Sequence, residues 1–295
     1  MKNKIILILL VLIVLSSCKN SEPEVGNRIV EDEVGVEKDS IEEFPEMVKE
    51  EAAKIEIINN ASEKIKPFKF TEGLYLSAYS VVSSRFPAIL DSAQAAGINT
   101  IVFDLKNMSG DVFFSVPQKG SYGRERYKTI INIPRVVKTL YDRNMRAVSR
   151  IVMFHDQFLA SADSTLRPQN VDMTSWKESK RRKASWLDSS NHRVQADLLY
   201  LIEQAASGGV DEVQLDYVRF PTGGDLKNAV FQFMQDDFTA AKADSNYVMR
   251  AKPDVVEDFV GRAKEICSRY DVTLAADVFA IVAWQNRVDV ANTGQ

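Results

Sequence analysis

A chain of 295 residues with 37 Lys and Arg against 41 Asp and Glu has a formal net charge of −4, and its only cysteines are Cys18 and Cys267. Two cysteines so far apart exclude a disulfide framework, and a balance this close to neutral argues against nucleic-acid binding, which needs a clustered basic face. The length suits one large domain with something attached to it, and the charge is unevenly placed along it.

The amino terminus opens with Lys2 and Lys4, continues with an 11-residue apolar run over 5–15, and reaches Leu15-Ser16-Ser17-Cys18. So short a run reads as an export signal, because a membrane span needs about 20 apolar residues. The small residues before Cys18 make 1–17 a lipoprotein signal peptide. Cys18 is then the lipidation site, and the protein is expected to be exported and anchored to a bacterial membrane at the cell envelope. Residues 18–66 read as an acidic flexible tether. From 19 to 65 there are 14 Asp and Glu against 6 Lys and Arg, which leaves 66–295 at +2. A segment of that composition buries too little apolar surface to offset its conformational entropy, and its self-repulsion extends it.

Residues 67–295 read as one folded domain in which β-rich runs alternate with helical patterns. The strands are GLYLSAYS from Gly73, NTIVFDLK from Asn99, RAVSRIVMF from Arg146, EVQLDYVRF from Glu212 and TLAADVFAI from Thr273. Helical periodicity follows over 86–96, 133–143, 192–206 and 254–270; Gly97 and Gly208-Gly209 suit helix ends and Pro134 a helix start. Cys267 falls in the last of these as a small core residue. The fourth strand is expected to run to Pro221, which cannot donate to a ladder. Lys177, Lys180, Arg181, Arg182 and Lys183, interrupted by Glu178 and Ser179, read as a solvated loop rather than a binding site.

Strict alternation implies a parallel sheet with right-handed crossovers, which a TIM-type (β/α)8 barrel and a five-stranded open doubly wound sheet both satisfy. Strand side chains alternate in direction, so Val102, Asp104 and Lys106 share a face, as do Val148, Arg150 and Val152, Gln214 and Asp216, and Ala275 and Asp277. Charge thus collects at the tops of four strands, where a barrel builds its chemistry, and there is no glycine-rich phosphate loop of the kind an open nucleotide-binding sheet uses. The barrel is the favoured reading. Five βα units are present where a barrel has eight strands, so the domain is expected to be an incomplete, C-terminally truncated barrel.

These segments together, above all SWLDSSNHRVQADLLYLIEQAASGGVDEVQLDYVRFP, resemble a bacterial glycoside hydrolase domain family with a (β/α)8 barrel, over about 73–295. The resemblance implies an O-glycosyl hydrolase that cleaves a polysaccharide with two carboxyl groups and no cofactor. Asp216 is then the nucleophile or base, Asp277 the acid, and Asp104 a third candidate that Lys106 would keep ionised. Arg150 would orient Asp216 or bind a sugar hydroxyl, and Arg219 would pair with Asp216 or bind substrate. Tyr79, Trp186, Tyr217 and Trp284 could stack on sugar rings. Asp104, Lys106 and Arg150 equally suit a structural charge network. His155 and His192 are too isolated for a metal site. The alternative function is a non-catalytic glycan-binding or envelope-scaffold lipoprotein; a deacetylase-like esterase would need a metal triad that the chain lacks.

Overall fold

The computed structural model of the protein describes residues 65, 68, 70–117 and 126–278. The signal peptide, Cys18, nearly all of the tether and Trp284 lie outside the described residues.

The first unit is strand β1 (Gly73–Leu76), a four-residue helix α1 (Ala78–Val81) capped by the Ser77 hydroxyl, and helix α2 (Phe86–Ala95) with Pro87 in its first turn. Gly97 then takes φ +88°, a left-handed conformation that ends the helix at no steric cost. Strand β2 (Thr100–Lys106) is followed by an excursion of two strands, β3 (Val112–Phe114) and β4 (Tyr127–Ile131), before helix α3 (Ile133–Tyr141). The Asn132 side chain accepts the Arg135 N–H to cap α3, and Pro134 sits where its missing N–H does no harm. Strand β5 (Arg146–Val152), the short helix α4 (Gln157–Ala162), strand β6 (Gln169–Asn170) and helix α5 (His192–Ser207) come next. Strand β7 (Glu212–Asp216), strand β8 (Ala229–Val230), helices α6 (Gln232–Ala243) and α7 (Lys252–Arg269), and strand β9 (Thr273–Ala276) complete the order.

Strands β1, β2, β5, β7 and β9 lie side by side in that sequence, all parallel. Each new strand is added on the same side as the last, so right-handed crossovers carry the connecting helices to one face. A doubly wound sheet reverses direction at a switch point, and this sheet does not. The open doubly wound alternative is therefore corrected: the winding is that of a TIM-type barrel, although the described residues do not show its closure. Ile101, Phe103 and Leu105 of β2, Ala147 and Ile151 of β5, and Val213 and Leu215 of β7 are fully buried on the helix-covered side. Leu90, Leu140, Leu198, Leu201 and Phe259 from the helices complete that core, and Cys267 is buried with them.

The fourth strand stops earlier than Pro221. Tyr217 takes φ +53°, which turns the backbone off the ladder at Asp216. Val218 and Phe220 still bury, but in the loop, where Phe220 meets Phe231 edge-on at 4.8 Å. That loop and the long connection after β5 are sewn together over the carboxyl ends of β5 and β7. Strand β6 pairs with β8, Trp176 Nε1 donates to the Asp225 carbonyl at 2.9 Å, and Asp188 Oδ2 accepts the Gln232 N–H at 2.7 Å. The result is a wall beside the polar face of the sheet.

Candidate active site

The polar face follows the strand register. Asp104 lies opposite Arg150, Arg150 opposite Gln214, and Asp216 one pleat higher opposite Val152. The Asp277 N–H donates to the Leu215 carbonyl at 2.8 Å, which carries the ladder one residue past β9 and sets Asp277 level with Asp216. Arg150 joins two strands' carboxylates. Its Nη1 donates to Asp104 Oδ1 at 2.6 Å, while Nε and Nη2 both reach Asp216 Oδ2, at 3.0 and 2.5 Å. The Tyr75 hydroxyl donates to the other oxygen of Asp104 at 2.5 Å, and the Tyr217 N–H donates to the other oxygen of Asp216 at 2.7 Å. A continuous Tyr75–Asp104–Arg150–Asp216 chain thus crosses four strands.

Asp277 stands apart from this chain. Among the described residues only the Gln214 amide faces it with a direct side-chain hydrogen bond, Nε2 lying 2.8 Å from each carboxyl oxygen. Burial pushes the Asp277 carboxyl up from its ordinary value, the negative charge of Asp216 adds to the rise, and the Gln214 and Arg150 contributions oppose it without cancelling it. Burial would by itself depress Arg150, but Asp216 and Asp104 outweigh it and hold the guanidinium above its usual range. Tyr75 is pushed up to about 12 by burial and by its bond to Asp104. It stays a donor.

Asp104, Arg150, Asp216 and Asp277 are therefore brought together as the alternation of the strands implies. Lys106 is not. A bulge between Asp104 and Lys106 shifts the register, and the ammonium turns into the fold, 3.0 Å from Asp156 Oδ2 and 2.9 Å from the Val152 carbonyl, with both side chains fully buried. The partner of Lys106 is thus Asp156, and Asp104 takes Tyr75 and Arg150 instead. The Arg219 guanidinium, also read as a partner for Asp216, lies over the rings of Trp186 and Tyr217, 4.8 and 5.3 Å from their centroids. Those rings and His155 form one aromatic cluster at the rim next to Asp216. Burial, backed by the charge of Lys106, pushes His155 down, so the imidazole is neutral near pH 7. Tyr79 is exposed at the far side of β1, with its hydroxyl 2.8 Å from Lys128 Nζ and its ring against Phe113. Trp284 and Cys18 fall outside the described residues.

Two members of the site escaped the sequence reading. Tyr75 has the same parity on β1 that Asp104 has on β2, so the period-two rule applied to GLYL would have placed it on the polar face. Gln214 was placed on that face but given no part, and its bond to Asp277 needed the register of β9. Among the described residues no group of three or more His, Cys, Asp or Glu side chains could hold a metal ion.

A sheet wound in one direction, with carboxyl groups at the carboxyl ends of successive strands, defines a glycosidase-type α/β barrel domain. The chain belongs to the family described as "Putative glycosyl hydrolase domain", whose model matches residues 73–295. A solved structure of a hypothetical protein from Ruminiclostridium thermocellum is 29% identical, with a TM-score of 0.56 over 71% of this chain and 99% of that one. The glycoside hydrolase domain of PgaB (BpsB) from Bordetella bronchiseptica is 11% identical, with a TM-score of 0.50 over 76% of this chain and 69% of that one, a likeness of fold. No curated protein matches the chain.

Proposed function

We propose that the domain hydrolyses glycosidic bonds of a polysaccharide at the cell envelope, with Asp277 as the acid and Asp216 as the nucleophile or base. The observation that carries this reading is the contrast between two level carboxyl groups. Asp216 is gripped by Arg150 and the Tyr217 N–H, and Asp277 is pushed towards its protonated form by burial. Glycoside hydrolysis asks for that division of labour, because one group must give a proton to the departing oxygen while the other faces the anomeric carbon, directly or through a water. Tyr75, Asp104 and Arg150 act as positioning residues that hold Asp216 from behind. The Tyr217 ring and the Arg219 guanidinium, both half-buried and packed on the buried Trp186 ring, offer sugar a stacking and hydrogen-bonding rim, and family membership supports a carbohydrate substrate.

The test is reducing-end release from a panel of polysaccharides by the wild-type chain, Asp216→Asn and Asp277→Asn. Each variant is expected to lose about 10²- to 10⁴-fold in turnover, the usual worth of a positioned acid or base, while still binding the polymer. Unchanged turnover in Asp216→Asn would remove it from the chemistry. A wild-type chain that binds polymer and releases no ends would instead favour the non-catalytic glycan-binding lipoprotein.

A further inference from the structure

The loop over 177–183 holds Lys177, Lys180, Arg181, Arg182 and Lys183 against the single acid Glu178, and all six side chains are exposed. Its charge of +4 compares with +2 for the whole of 66–295, so the rest of the domain is net negative and the net positive excess comes from this loop. Among the described residues none of these five cations makes an ion pair.

The loop is solvated, as its sequence implies, but it is also pinned. Trp176 before it is buried and bonded to Asp225, and the Ala184 carbonyl after it accepts from the Ser161 hydroxyl at 3.2 Å. Between them, Glu178 lies so close to the backbone of the next loop that a Cβ on Gly224 would come within 2.6 Å of the Glu178 carbonyl oxygen. The pinning also sets its place. Three residues beyond Lys183, Trp186 pairs with His155 and packs on Tyr217, the residue after Asp216, and Glu178 acts through space on both Arg219 and His155. The loop that carries the cations is therefore joined, through Glu178 and Trp186, to the rim beside Asp216. Trp186 is 4% exposed, and its Nε1 has no hydrogen-bond partner among the described residues, a donor left over at the same rim.

We propose that the 177–183 rim is a docking surface for an acidic polysaccharide, whose repeated anionic groups it holds while a glycosidic bond lies over the carboxylates. This rests on the glycosidase reading and adds the substrate class to it. One exposed cation contributes little, since water and salt screen it. Several on an anchored loop act together on a polyanion, because the loop is already ordered and each contact releases counterions.

The experiment is affinity electrophoresis of the full chain in nonionic detergent, in gels containing polygalacturonate, dextran sulfate or neutral dextran, with flotation on phosphatidylglycerol vesicles alongside. Retardation is expected in an acidic gel and not in dextran; the two acidic polymers separate carboxylate from sulfate preference. Retardation should fall between about 50 and 200 mM salt. The variant Lys180→Ser/Arg181→Ser/Arg182→Ser/Lys183→Ser should weaken it by about tenfold or more. Asp216→Asn should leave it intact, so loss of docking and loss of catalysis are read separately. Equal retardation in dextran, indifference to salt, an unchanged fourfold variant, or binding to vesicles without binding to either acidic polymer would each overturn the proposal. The salt series on the wild type stands even if the fourfold variant fails to fold.

Discussion

Asp277 meets one amide where Asp216 meets a guanidinium and a backbone N–H, and that difference has a consequence for stability. In the unfolded chain Asp277 titrates near the ordinary value of about 3.9, and in the folded chain burial raises it. The folded state thus binds the proton more tightly. Its contribution is present below the unfolded pKa and is lost as pH rises through the folded one, so at neutral pH an ionised Asp277 works against the fold. Asp277→Asn is expected to raise Tm at pH 7 by removing that charge while keeping a polar side chain beside Gln214. The gain should vanish as pH falls towards about 4. Thermal melts at several pH values check this, and a lower Tm at pH 7 would show that Asp277 is paired more strongly than Gln214 allows. Tyr217 is the other residue whose setting matters, because a left-handed, non-glycine position beside a candidate nucleophile is a strain that the surrounding structure must maintain. It aims the Tyr217 N–H at Asp216.

At the scale of elements, the end of β2 and the start of α4 are tied by a buried ion pair, beside the bond from the Gln157 N–H to the Met108 carbonyl at 3.1 Å. Asp156 Oδ1 accepts the Leu159 N–H at 2.9 Å to cap α4, and Oδ2 lies beside Lys106 Nζ. Gly110, at φ +86°, leaves the space, since a Cβ there would fall 2.2 Å from Asp156 Oδ1. Burial depresses the Lys106 ammonium and Asp156 supports it, so each charge needs the other. Lys106→Met is expected to cost about 3–5 kcal/mol by stranding the carboxylate. Lys106→Met/Asp156→Asn should recover much of it, because an asparagine still caps the helix and carries no charge. Urea unfolding measures both, and a double variant no more stable than the single one would mean that the pair is not the tie. The pairing was invisible in the sequence because a bulge broke the alternation that set Lys106 beside Asp104. Helix α6 was missed for a simpler reason: Phe233 and Asp237 are its only buried residues, so it shows no apolar stripe to read. Helices α2, α3, α5 and α7 each have such a stripe, and all four were legible to within a few residues at their ends.

For the whole molecule, no helix among the described residues is long and apolar enough to cross a membrane, and the attachment expected from the sequence is a lipid at Cys18. Cys18→Ser is expected to move the protein from the membrane fraction to the soluble fraction, or to stall its processing with the leader still attached. Fractionation and mass measurement of the amino terminus check this, and unchanged membrane partitioning with a normally cleaved leader would rule the anchor out.

The sequence by itself determined the five parallel strands and the face each turns to the helices, because those depend on residues two, three and four apart; it ran the first of them on past Leu76 into α1 and did not show β3, β4, β6 or β8, which are too short or too irregular to carry a period. It likewise placed Asp104, Arg150, Asp216 and Asp277 on the opposite face, since parity within a strand is local. The tertiary structure decided how the carboxyl groups are used. Arg150 chose Asp104 and Asp216, Lys106 chose Asp156, and Gln214 took Asp277, across separations of 46 to 66 residues for Arg150, 50 for Lys106 and 63 for Gln214. It also decided the winding: alternation of strand and helix is the same string in an open sheet and in a barrel, and only the order in which β1, β2, β5, β7 and β9 pair tells them apart. Pairing order and partner choice depend on register, on a bulge and on a left-handed tyrosine, and none of these is fixed by the residues on either side of it.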